Sequence, residues 1–144
     1  MKQTKNNFTI GDDGQIIGRD TQEFDGKVVH LPQAEAGKYR AFFDGLDGLP
    51  NVVIMPRNNW PKSNIELCER LKSPEVPIED KIKVVGMFAS LATVIVDKDS
   101  CARLPSELVK QAELGDKIDV TGAYTFASPG YSITDHGRLD AWMS

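Results

Sequence analysis

A chain of 144 residues is long enough for one domain with a sizeable core, and its 40% apolar and 26% charged content is that of a globular rather than a disordered protein. No apolar run approaches the roughly 20 residues that span a bilayer, which excludes a transmembrane helix. The 17 basic and 21 acidic residues leave a net charge of −4, and Cys68 and Cys101, with His30 and His136, fit neither a disulfide framework nor zinc-site spacing.

The first seven residues are basic but lead into no apolar block of a signal peptide, so a reducing cytoplasm is the expected location. Phe8 and Ile10, then Ile16 and Ile17, flank Asp13-Gly14, which predicts a hairpin turn. Residues 27–32 (KVVHLP) read as a strand stopped by Pro32. Residues 34–43 (AEAGKYRAFF) have helical composition and end at the Gly45 and Gly48 turn signals, and 51–55 read as a buried strand closed by Pro56. Ser63 and Glu66 form a capping box for a helix whose apolar residues are Ile65, Leu67, Cys68 and Leu71.

Residues 73–79, with two prolines, read as a linker. A helix follows from 78 to 91, with Ile78, Ile82, Val85 and Phe88 spaced by four and three. Strands are expected at 92–96 and 101–105, the second stopped by Pro105. Residues 106–114 suit a short helix ended by Gly115. Residues 117–121 alternate as a half-buried strand, 131–134 suit its hairpin partner, and 139–143 a last helical turn.

His30-Leu31-Pro32 matches Arg103-Leu104-Pro105, each followed in this reading by a helix and a strand. The second strand starts 19 residues after Pro32 but 12 after Pro105, which places an insertion in the first copy near Gly45 and Gly48. Units of roughly 50 residues are too small to bury a core alone, so the two copies should pack on each other.

The run from Val96 to Leu108, with Ala112-Glu113-Leu114 and Lys117–Gly122, resembles the second repeat of the MraZ proteins, of the AbrB/SpoVT swapped-hairpin superfamily. Residues 25–32, 34–43, 51–55 and Trp60 resemble the first repeat more weakly. The resemblance implies an α+β fold in which two pseudo-repeats form one double-split β-barrel with peripheral helices. It divides the chain into an N-terminal extension (1–23), repeat one (24–72), a linker and connecting helix (73–91) and repeat two (92–144). It also implies an oligomeric, DNA-binding transcriptional regulator.

That family carries an Asp-x-x-x-Arg signature in each repeat. Here Asp97 matches the acid, but Ser100 stands at the glycine and Cys101 at the arginine. In repeat one, ungapped counting from Pro32 puts Val28 at the arginine position; a one-residue bulge instead puts Gly26-Lys27 on the Gly-Arg pair and Glu23 on the acid. Neither reading restores a guanidinium, the group that makes bidentate base and phosphate contacts. Arg103 and His30, which correspond by repeat, with Lys27 and Lys98, are the candidate phosphate contacts.

Two function classes follow: an oligomeric DNA-binding regulator working by phosphate and shape contacts, and a degenerate structural or assembly subunit of a larger complex, such as a viral particle, that does not bind DNA. A homo-oligomer is expected; duplex DNA or other protein subunits are the candidate partners. The sequence holds no nucleophile–base–acid set, so no enzyme is expected. Residues 11–18 carry glycines without a following helix to cradle a phosphate. Asp97, Asp99, Asp116 and Asp119 lack calcium-loop spacing, and no metal or cofactor is expected. Cys101, near Lys98 and Arg103, reads as a small buried hydrophobe rather than a reactive thiol, and Cys68 as core.

Overall fold

Eight antiparallel strands form one curled sheet, a half-barrel with four helices around it. The computed structural model describes residues 8–10, 16–45, 48–126 and 128–144. A two-stranded hairpin, β1 (Thr9–Ile10) and β2 (Ile16–Ile17), pairs Thr9 with Ile17 and Ile10 with Ile16. The connecting residues 11–15, including the expected Asp13-Gly14 turn, lie outside the described residues.

The large sheet uses β3 (Arg19–Glu23), β4 (Val28–His30), β5 (Gly37–Asp44), β6 (Asn51–Pro56), β7 (Ala92–Val96), β8 (Cys101–Arg103), β9 (Lys117–Thr125) and β10 (Ser128–Asp135). Their order is β3-β9-β10-β6-β5-β7-β8-β4. The helices are α1 (Trp60–Lys72), α2 (Ile78–Ser90), α3 (Ser106–Gln111) and α4 (His136–Met143). Among the described residues, no helix is long and apolar enough to cross a membrane.

Exchanging β3–β6 with β7–β10 maps every neighbouring pair of strands onto another except β7·β8, whose counterparts β3 and β4 are the two ends of the sheet. The five-residue pairing of β3 with β9 corresponds to the five-residue pairing of β7 with β5. The β9·β10 hairpin corresponds to β5·β6. The two remaining ladders are their own counterparts: β10·β6, with Tyr131 opposite Ile54, and β8·β4, with Ala102 opposite Val29. The buried pairs Ile54–Tyr131 and Val29–Ala102 lie in these two ladders, where one half of the chain meets the other.

Residues 34–43 are not helical, contrary to their composition. Gly37–Asp44 form β5, central in the sheet, with β6 on one edge and β7 on the other. Tyr39 and Ala41 face the interior of the curl and Phe42 the opposite layer, so burial on both faces overrides local helix preference. The insertion moves accordingly. Strand β5 starts five residues after Pro32 and β9 twelve after Pro105, and the difference is helix α3, in the second half of the chain.

Two apolar layers result. The concave side encloses Val29, Leu31, Val94, Val120, Tyr131 and Ile133, among others. The convex side of β5 and β6 packs Phe42, Val53 and Met55 against Leu67 of α1 and Val84 and Met87 of α2. Trp60 joins this layer, 5.9 Å from Phe42 and 6.1 Å from Phe88 between ring centroids.

Three helix details depart from the sequence pattern. In α2 the inward stripe is Val84, Met87 and Phe88, continued by Leu91 just past its end, whereas Ile78, Ile82 and Val85 are exposed. Helix α1 starts at Trp60 with Pro61 in its first turn; Ser63 lies inside it, buried, donating to Met55 Sδ at 3.2 Å rather than capping. Past α3 the left-handed residue is Glu113 (φ 53), two positions before Gly115.

Gly122 lets β2 cross β9 closely: a Cβ there would sit 1.9 Å from the Ile16 carbonyl oxygen. Gly122→Ala must displace the β1–β2 hairpin and is expected to cost about 2–4 kcal/mol in urea unfolding. An unchanged midpoint would show that the close approach does not exist.

Candidate nucleic-acid interface

Strands β4 and β8 form a short ribbon in which Val28 opposes Arg103, Val29 opposes Ala102 and His30 opposes Cys101. The period of two sends Val29 and Ala102 into the core and leaves Val28, His30, Cys101 and Arg103 on the outer face. Reciprocal bonds extend the ribbon at each end: Leu31 N–H donates to Ser100 O (2.8 Å) and Leu104 N–H to Lys27 O (2.7 Å). His30 and Arg103 therefore share one surface, with Lys27 and Lys98 in turns at opposite ends of it. All four sequence-predicted site residues are exposed on this strip.

The two end turns are built alike. The Asp25 carboxylate accepts from the N–H groups of Lys27 (2.8 Å) and Val28 (2.9 Å). These bonds, Val28's first, hold its pKa below the ordinary value. Asp97 Oδ1 accepts from the N–H groups of Asp99 (2.9 Å) and Cys101 (3.0 Å). Gly26 (φ 86) and Ser100 (φ 63) take the left-handed conformation. Serine tolerates it less well than glycine, but the Ser100 Oγ donates to Ala34 O at 2.6 Å.

The charges nearly cancel. Lys27, Lys98 and Arg103 stand among Asp25, Asp97 and Asp99, and among the described residues no carboxylate lies within ion-pair distance of Lys98 or Arg103. Cys101 is half-buried rather than core, and burial, then Asp97 and Asp99, push its thiol pKa up. This is the opposite of what a reactive thiolate needs. Cys68 is half-buried as well. Among the described residues no group of three or more His, Cys, Asp or Glu side chains is placed to hold a metal ion.

A second polar cluster went unread in the sequence. Asp119 on β9 is fully buried and accepts from Arg19 Nε and Nη2 (both 3.1 Å), from the Thr21 hydroxyl, and contacts His136 Nδ1 (2.8 Å). Asp140 lies 3.9 Å from Arg19 and 3.8 Å from His136. The cluster fastens edge strand β3 and the start of α4 to β9. It sits on elements other than the ribbon. Its only advance signal is the alternation of residues 117–121, because Arg19 is a hundred positions away.

No family model matches the chain, and no curated protein sequence matches it.

Burial raises the Asp119 pKa, but hydrogen bonds from Arg19, Thr21 and His136, with the Arg19 charge, outweigh it and hold the carboxyl below its ordinary 3.8. A depressed folded pKa stabilises above the unfolded value and is lost as pH falls through the folded one. Asp119→Ala is expected to cost about 3 kcal/mol at neutral pH by removing the buried charged acceptor that Arg19, Thr21 and His136 share. The gap between variant and wild type should narrow as pH drops below 3.8. A gap that is constant with pH would count against the ionised carboxylate.

Proposed function

We propose that this protein is a divergent DNA-binding regulator of the MraZ kind. In this reading the two pseudo-repeats make a double-split β-barrel, and an oligomer in the cytoplasm lays several ribbons along one duplex. The observation that carries the reading is the β4·β8 ladder: it brings the two Leu-Pro segments into twofold register and puts His30 and Arg103 on one outer face with a lysine at each end. A two-stranded ribbon is narrow enough for a major groove. Val28 and Cys101, at the signature arginine positions, also face outward, so bidentate base readout is missing and phosphate contacts remain. Multivalency supplies what one weak ribbon lacks.

A second reading is an assembly subunit in which the barrel persists and DNA does not bind. It is favoured by Ile65 of α1 and Ile78, Ile82 and Val85 of α2, which are 56–66% exposed, and by the balanced charge of the ribbon.

Duplex binding measured against salt separates the two. Three cationic contacts predict log K falling with log salt at a slope of about −3 per ribbon, and Arg103→Ala should reduce that slope by about one. Absence of binding at about 50 mM salt rejects the regulator. Cys101→Arg restores a fork at the outer face and is expected to tighten binding by about tenfold. An unchanged affinity would show that position 101 does not face DNA.

A further inference from the structure

The ribbon is held unequally on its two sides. On the β8 side, β7 adds a backbone ladder: Val96 pairs with Ala102, and Asp97 N–H donates to Cys101 O at 2.9 Å. The corresponding neighbours on the other side are β3 and β4, both edge strands of the sheet, and no ladder joins them. A side chain bridges the gap instead. Gln22 Oε1 accepts from His30 N–H at 2.9 Å, and Gln22 Nε2 donates to His30 O at 2.9 Å. The amide thus makes both bonds that the peptide of a neighbouring strand would make.

Asp20 fixes how that amide is presented. Its Oδ2, on a buried side chain, accepts from Gln22 Nε2 at 2.8 Å. Both Nε2 hydrogens are then used, one on Asp20 and one on His30 O, while Oε1 meets the only donor. The reversed amide would set oxygen against two acceptors and nitrogen against a donor. The orientation is single-valued, and a carboxylate acceptor strengthens the bond that enforces it.

We propose that Gln22, oriented by Asp20, is the positioning residue of the ribbon: a surrogate strand that holds the His30 peptide, and hence the outer face bearing His30 and Arg103, in register. The proposal rests on the ribbon being the nucleic-acid surface. Gln22 itself contributes no charge to that surface. It reduces the freedom of an edge strand of three residues whose only ladder partner among the described residues is β8.

The test uses the whole chain. Amide exchange at His30, followed by NMR without DNA, is expected to quicken about tenfold in Gln22→Leu while amides in β6 and β10 keep their protection. Gln22→Asn, one methylene too short to reach both partners, should do the same and serves if the leucine variant folds poorly. Unchanged exchange at His30 in a folded variant overturns the proposal. Binding of a short mixed-sequence duplex should then weaken about tenfold with the salt slope unaltered, because no phosphate contact is removed, unlike Arg103→Ala. Faster exchange with unaltered affinity also overturns it, reducing Gln22 to a structural bond. If the wild type binds no duplex, the ribbon reading fails, and the proposal for DNA positioning fails with it; the exchange result then shows separately whether the surrogate bond exists.

Discussion

The sheet exists because each half of the chain supplies hydrogen-bond partners that the other lacks. Among the described residues strand β3 pairs only with β9 and β4 only with β8, and β7 pairs with β5 of the first half as well as with its own neighbour β8. The hairpins β5–β6 and β9–β10 are internal to one half, but their central edges meet each other. Neither half could satisfy its backbone alone, and an unpaired buried peptide costs about as much as a lost hydrogen bond. The interior layer, the position of the ribbon and the enclosure of Asp119 follow from this interlocking.

Within it, the halves differ where the pairing leaves them free. The second half carries α3 between its Leu-Pro segment and β9, where the first has a short turn. The convex face of β3 and β9 holds a buried ionic cluster under α4, whereas that of β5 and β6 holds aromatic and apolar side chains under α1 and α2. The outward positions of the ribbon are Val28 and His30 from the first half and Cys101 and Arg103 from the second.

Strands β4, β6 and β7 were legible because β-branched runs ended at prolines or tight turns, and β8 because Pro105 stops it, signals that act within a few residues. That Arg103 shares a strand face with Cys101 was legible from alternation, whereas its sharing a surface with His30 comes from the β4·β8 pairing, which no local pattern gives. Strand β5 was not, because Ala, Glu and Lys beside Tyr and Phe give no clear period, and its conformation is decided by two neighbouring strands. In α2 two apolar stripes compete, and the inward one is selected by Phe42 and Met55 beneath it. Gln22 and Asp119 were invisible as functional elements because their meaning lies in partners that local pattern does not reveal.

The hydroxyl of Tyr131 reaches Pro32 O at 2.6 Å across 99 positions, and Arg19 meets Asp119 across 100. Contacts of such span require long loops to close before they are rewarded, and such topologies fold slowly. On the ribosome, β3 and β4 must wait with open edges until β8 and β9 have been made. An emerging chain of this design is therefore most exposed to wrong strand pairing during synthesis, and most dependent on chaperones, just before its second half appears.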